Sequence, residues 1–269
     1  DAPRGFAQAL KRHGTIGFAD ALAPAIARAK QGLMLDWHTT LAIAIAASGL
    51  ADDEGARTVF LPGGHPPEPG SVLPTPALFN TLRTLAAEGP DALYGGSIGQ
   101  RLIADLQAGG SFMTLDDLAD YEALIYPARS MALQDKIVHV PGETSAGQRL
   151  FDALSFFDEK RGPGPVDGDF FATMSQALWE SFGAHRRRLN PAETTNKTST
   201  TQVNAVDGEG RMVAITFTLL NRFGARALSP STGILLNNGM SWFDPTPGRA
   251  NSLVPKAYAP SNMCPVILT

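Results

Sequence analysis

Two alternating runs around an Asp-Gly-x-Gly turn constrain this chain more than any other feature. Asn196-Lys197-Thr198-Ser199-Thr200-Thr201-Gln202-Val203-Asn204-Ala205-Val206 leads into Asp207-Gly208-Glu209-Gly210, and Arg211-Met212-Val213-Ala214-Ile215-Thr216-Phe217-Thr218 follows. Period-2 alternation on both sides of a glycine turn specifies a β-hairpin. If Gly208, Glu209 and Gly210 form a three-residue loop with Gly210 left-handed, Asp207 pairs with Arg211. Val203 then lies opposite Ile215, Ala205 opposite Val213 and Thr201 opposite Phe217, which gathers the apolar residues on one face. A two-residue loop would slip the register by one and mix the faces, so the hydrophobic pattern selects the longer loop. The other face carries Thr200, Gln202, Asn204, Thr216 and Thr218, with Thr200 directly opposite Thr218.

A face so rich in hydroxyl and amide groups reads in two ways. Threonine has high β propensity and suits a strand wetted by solvent; equally, the face lines a site. A threonine hydroxyl is a poor nucleophile without a base beside it. When threonine is the first residue of a chain, its own α-amino group is that base, and it becomes available only after the preceding peptide bond is cut.

Upstream, residues 1 to about 122 read mostly as helices. Phe6 and Leu10, then Leu22 and Ile26, repeat the i, i+4 spacing. A helix is expected from Thr75-Pro76, with Thr75 as its cap, to Gly89-Pro90, along the stripe Leu78, Leu82 and Leu85. Another runs from Ser97 to Gly109-Gly110 over Leu102, Ile103 and Leu106, and Thr114 caps a turn through Asp117 and Leu118. The Pro- and Gly-dense stretch from Leu61 to Pro76 reads as loop. Ala123-Leu124-Ile125-Tyr126 and Ile137-Val138-His139-Val140 read as β, and helices are expected near 145–158 and 169–189 before an Asn-, Thr- and Pro-rich linker from Asn190.

Composition narrows the partners. The 269 residues are 43% hydrophobic and carry a net charge of -4, and their only dense basic run is Arg186-Arg187-Arg188. Nucleic acid is therefore an unsuited ligand. One cysteine, Cys264, excludes an internal disulfide framework and multi-cysteine metal sites, and the five histidines show no metal-ligand spacing. No run of about 18 apolar residues offers a membrane span. Gly95-Gly96-Ser97-Ile98-Gly99 matches G-x-S-x-G, but what precedes it reads as a turn and not a strand, so Ser97 is assigned to a helix cap. Gly162-Pro163-Gly164 with Gly168 reads as a linker turn, since the prolines remove amide donors a phosphate loop would need. Asp1-Ala2-Pro3 without a Met, and a final β-branched run reading as a strand in progress, suggest a piece of a longer chain.

Thr200-Thr201-Gln202, Val206-Asp207, Gly210, Val213-Ala214, Thr216, Thr218, Phe223-Gly224 and Thr232-Gly233-Ile234-Leu235-Leu236-Asn237-Asn238 resemble the start of the small subunit of γ-glutamyltranspeptidases. Pro260-Ser261-Asn262-Met263-Cys264-Pro265 resembles that family's Ser-Ser-Met-Ser-Pro segment. Leu22-Ala23-Pro24-Ala25-Ile26, Gly89-Pro90-Asp91-Ala92-Leu93-Tyr94, Gly109-Gly110 and Leu115-Asp116-Asp117-Leu118-Ala119-Asp120-Tyr121 resemble its large subunit.

The resemblance implies an α+β fold similar to the four-layer αββα sandwich of N-terminal-nucleophile hydrolases. It implies a large-subunit-like part, 1–199, and the start of a small-subunit-like part, 200–269. The activity implied is self-cleavage at Ser199-Thr200 followed by γ-glutamyl transfer or hydrolysis, on γ-glutamyl amides such as glutathione, through a Thr200 acyl-enzyme with no metal or organic cofactor. Thr218 would hydrogen-bond the nucleophile, and Asn238, Ser261 and Asn262 would bind substrate. The partners implied are the small-molecule substrate and the chain's own two subunits. A periplasmic or extracellular location is implied by family, with the cytoplasm left open.

The chain departs from the family pattern at Gln202, where the family has His, and at Leu220, where it has Asn. It departs again at Gly239 and Trp242, where the family usually places Gln or Glu and then Asp to bind the substrate α-amino group, although Asp244 lies two residues on. An acylase for non-glutamyl amides, and a non-catalytic relative serving as a binding or scaffold protein, are the alternatives.

Overall fold

The computed structural model describes residues 2–142, 145–189, 198–259 and 261–269. The linker from Asn190 and the side chains of Arg186, Arg187 and Arg188 lie outside the described residues. Helices α1 (Ala2–His13), α2 (Phe18–Gln31), α3 (Trp37–Ala51), α4 (Glu54–Phe60), α5 (Pro76–Glu88), α6 (Ser97–Ala108) and α7 (Leu115–Ala119) come first, with short strands β1 (Leu33–Met34) and β2 (Val72–Leu73) among them. Strands β3 (Arg129–Leu133) and β4 (Lys136–Val140), helices α8 (Gly147–Lys160) and α9 (Gly168–Leu189), and strands β5 (Thr198–Val206), β6 (Met212–Asn221) and β7 (Ile267–Leu268) follow. The chain is mixed helix and sheet, and no described helix is long and apolar enough to cross a membrane.

Two compact units divide it. The first comprises residues 1–125 and 221–237; the second comprises 126–220 and 238–269. The first has two apolar cores, one around Leu35, Ile43, Leu50, Leu61 and Leu73, the other around Leu85, Tyr94, Ile98 and Leu102. Residues 221–237 are built into it by polar pins. Asp53 Oδ1 caps α4 through the Ala56 N–H and also accepts the Leu228 N–H at 3.1 Å. The buried Thr81 hydroxyl donates to the Thr232 carbonyl at 2.8 Å. Gly233 has φ +69, and a Cβ there would lie 2.5 Å from the Leu78 amide nitrogen, so both the turn and the close approach require glycine.

The second unit packs α8 and β3–β4 around Val138, Val140 and Phe151. β3 pairs antiparallel with β4 (Met131 with Val138), and β4 with β7 (His139 with Ile267), so the C-terminal β-branched run is a strand. β5 and β6 form their own hairpin.

Four expectations differ locally. The stretch from Leu61 to Pro76, expected as loop, contains β2, where Val72 pairs with Met34 and Leu73 with Leu33. Ala123–Tyr126 is not a strand; this apolar run has no ladder partner, and Leu124, Ile125 and Tyr126 are exposed. Thr75 starts α5 but does not cap it with its side chain, because its hydroxyl donates to the Ala29 carbonyl of α2 at 2.9 Å. Gly96, not Ser97, is the α6 cap; Ser97 is the first helical residue and its hydroxyl reaches Glu88 at 3.2 Å.

Candidate active site

The site grows out of the β5–β6 hairpin. Asp207 donates its N–H to the Arg211 carbonyl at 3.1 Å, and Gly210 adopts φ +81, which is the three-residue loop and the register read from the alternation. Asp207 fixes the turn further: its carboxylate accepts the Glu209 and Arg211 amides at 3.0 and 2.9 Å and pairs with the Arg211 guanidinium at 2.5 Å. The side-chain hydrogen bond from Arg211 heads the causes that lower the Asp207 pKa.

That register sets the polar face in rows. Thr216 donates to the Gln202 amide oxygen, and Gln202 Nε2 donates to Asn204 Oδ1 at 2.6 Å. One row along, Thr200 Oγ1 donates to Thr218 Oγ1 at 3.3 Å, and Thr218 Oγ1 donates to the Ser199 carbonyl at 2.5 Å. The Leu220 amide donates to Thr218 Oγ1 at 2.8 Å. Thr218 thus touches both the oxygen that would attack and the carbonyl that would be attacked. Gln202, already engaged on both sides of its amide, has no titratable group to serve as a base.

The other candidate residues sit on separate segments of the second unit. Asn238 follows the excursion through residues 221–237, and its N–H donates to the Leu219 carbonyl at 2.9 Å, tying it beside the end of β6. The Ser261 hydroxyl accepts the Met263 N–H at 3.4 Å in a local turn, and the Met263 carbonyl accepts the Ala146 N–H at 3.1 Å at the start of α8. Cys264 is half-buried against the β3–β4 core; burial raises its pKa and the Arg149 charge opposes that, so it is a packed thiol. Asp244 is buried and spoken for: it accepts the Thr246 N–H at 2.8 Å and pairs with Arg249 at 3.2 Å, and these hold its pKa below the ordinary value. Among the described residues no three His, Cys, Asp or Glu side chains group to hold a metal. A groove of about 350 Å³ lies between the hairpin tip and β7, lined by Ala205, Val213 and Ile267 among others, and neither Thr200 nor Thr218 lines it.

A family model described as gamma-glutamyltranspeptidase matches residues 2–189 and 166–269. The chain belongs to the gamma-glutamyltranspeptidase family. Among curated members of that family and its relatives, it is 31% identical to the Acylase ACY 1 proenzyme of Pseudomonas sp. (strain SE83), over 99% of this chain and 54% of that protein. It is 27% identical to the glutathione hydrolase proenzyme of Escherichia coli (strain K12), over 98% of this chain and 55% of that protein. The chain therefore spans about half the length of the curated relatives it matches. The cephalosporin acylase of Bacillus halodurans superposes with a TM-score of 0.83 at 21% identity, covering 100% of this chain and 56% of that one. The γ-glutamyltranspeptidase of Helicobacter pylori superposes at 0.64 with 18% identity, over 70% and 54%. The gamma-glutamyltranspeptidase fold, an α+β N-terminal-nucleophile hydrolase fold, is thus the one expected from the sequence.

The structure also redistributes the motif residues that carried the family likeness. Thr232 is fully buried and Gly233 lies against α5, so these two residues serve the conformation of the segment. Leu220, which reads in the sequence only as a missing Asn, supplies a main-chain donor to Thr218; no side-chain alphabet could have signalled that.

Proposed function

We propose that this chain carries the cleavage junction and nucleophile of a self-processing γ-glutamyl transferase or hydrolase, with 1–199 contributing to its large subunit and 200–269 opening its small one. In the first step Thr200 Oγ attacks the Ser199 carbonyl carbon. A C–O bond forms, the bond to the Thr200 nitrogen breaks, and the hydroxyl proton ends on that nitrogen. Water then hydrolyses the ester, leaving a Ser199 carboxylate and a Thr200 with a free α-amino group. That amine is the base for the second activity, in which Thr200 takes the γ-glutamyl group of an amide such as glutathione and passes it to water or an acceptor amine. Asn238, Ser261 and Asn262 bind the substrate.

The observation that carries this reading is the Thr218 hydroxyl, 2.5 Å from the Ser199 carbonyl oxygen and 3.3 Å from Thr200 Oγ1. A donor at the carbonyl oxygen stabilises the charge that develops there as the nucleophile adds. Mass spectrometry of the purified full-length protein is expected to give two chains, the second beginning at Thr200, and Thr200→Ala is expected to stay whole. A parent protein that remains intact after prolonged incubation would favour the non-catalytic scaffold and overturn the proposal.

A second reading, an acylase for amides whose acyl group lacks an α-ammonium, is favoured by Asp244. Gly239 and Trp242 offer no acid, and the Asp244 carboxylate is bound to Arg249 and the Thr246 amide.

A further inference from the structure

We infer that the main-chain N–H of Leu220, presented by a left-handed turn at the end of β6, is a positioning group that locks the Thr218 proton onto the Ser199 carbonyl. The inference rests on the self-cleavage reading above. A hydroxyl has one proton to give and two lone pairs to offer. Of the three groups around Thr218 Oγ1, the Leu220 amide at 2.8 Å can only donate, and the Ser199 carbonyl at 2.5 Å can only accept. One lone pair is therefore filled, the proton is committed to Ser199, and the remaining lone pair faces the Thr200 hydroxyl at 3.3 Å.

The consequence is directional. With the Leu220 amide in place, Thr218 polarises the carbonyl and leaves Thr200 as a donor whose oxygen lone pairs are free for attack. Without it, the Thr218 rotor can reverse and donate to Thr200 Oγ1, which abandons the carbonyl and ties up the nucleophile. The chain keeps this amide in place with an unusual backbone. Leu220 has φ +71, a region that residues other than Gly, Asn and Asp seldom occupy, and the residue is only 6% exposed, so burial holds the turn that its conformation alone would not choose. The bond from a Thr hydroxyl to the amide two residues on is a known local alternative to strand pairing, and here it coincides with the end of the ladder.

The test uses the full-length precursor and reads the rate at which the Thr200 N-terminus appears by mass spectrometry. Replacing Leu220 with its α-hydroxy acid turns the one N–H into an ester oxygen and leaves the side chain in place. This variant is expected to self-cleave about tenfold or more slowly. Leu220→Val, whose β-branch disfavours positive φ, is expected to slow cleavage comparably. Leu220→Asn accepts the left-handed turn and retains the amide but loses the buried side chain, and it is expected to cleave within about threefold of the parent. An ester variant cleaving at the parental rate would overturn the inference and leave the self-cleavage reading standing. So would Leu220→Asn as slow as Leu220→Val, since side-chain packing would then be the cause. A parent that never cleaves overturns both.

Discussion

Asp105 gathers three hydrogen bonds on one carboxylate oxygen: the Ser229 hydroxyl at 2.5 Å, and the Ser231 amide and hydroxyl at 2.9 and 2.7 Å. Burial alone would raise its pKa, but these donors and the nearby Arg101 charge outweigh that and lower it from 3.8. A carboxyl whose folded pKa is depressed contributes stability above its unfolded value, and that contribution is lost as pH falls through the folded value. Asp105→Ala leaves the buried Ser229 hydroxyl without its acceptor and is expected to cost about 2 kcal/mol at neutral pH. In urea titrations, the gap between parent and variant should be widest at neutral pH and narrow below the ordinary aspartate pKa of 3.8. A gap that stays constant down to the most acid pH at which both fold would show that the charge is not what holds this pin. At this scale much of the structure was invisible in the sequence. Asp105 is one polar residue of a helix until the 221–237 segment is brought to it, and Thr75 looks like a cap until the Ala29 carbonyl claims its hydroxyl.

Elements were legible where pattern and turn chemistry agreed. The β5–β6 hairpin satisfied both, and its register followed from the apolar pairs and one glycine. Ala123–Tyr126 had composition without a partner strand, and α3 had apolar residues all round. In the first unit one side of α3 buries Ile43, Ala46 and Leu50 while Trp37, Leu41 and Ile45 remain exposed at the i, i+4, i+8 spacing, so no single stripe could have oriented it. The hairpin offers the sharper experiment. A side chain at Gly210 meets open space but must take φ +81, whereas Gly208 has open space and no positive φ. Gly210→Val should therefore weaken the turn by about 1–2 kcal/mol and slow the appearance of the Thr200 N-terminus. Gly208→Ala should leave that rate within about twofold of the parent. Equal effects from the two substitutions would mean that the turn does not set the Thr200 to Thr218 alignment.

At the scale of the whole molecule, the two units are interleaved along the chain. The chain leaves the second unit after Leu220, runs through the first as residues 221–237, and returns at Asn238. The family likeness was legible across nearly all of it because its motif residues stand in order along the chain, and one of them, Gly233, is held to glycine by its φ of +69 and its close approach to Leu78. Acyl specificity was not legible, because it depends on what each carboxylate is already bonded to. In the loop after Asn238, the Asp244 amide donates to the Asn251 carbonyl at 2.8 Å and the Asn251 side chain donates to the Trp242 carbonyl at 2.5 Å, around an Asp244–Arg249 ion pair. Asp244 is then a scaffold for its own loop. If so, Asp244→Asn in the full-length protein should lower the unfolding midpoint while leaving the ratio of kcat/KM for γ-glutamyl and glutaryl anilides within about threefold of the parent ratio. A selective loss on the γ-glutamyl substrate would instead make Asp244 the partner of the substrate ammonium. For the parent, the acylase reading requires glutaryl turnover at least equal to γ-glutamyl turnover. A γ-glutamyl preference of about a hundredfold, worth some 2.7 kcal/mol of selective transition-state binding, would require an acid supplied by some other group to hold the ammonium.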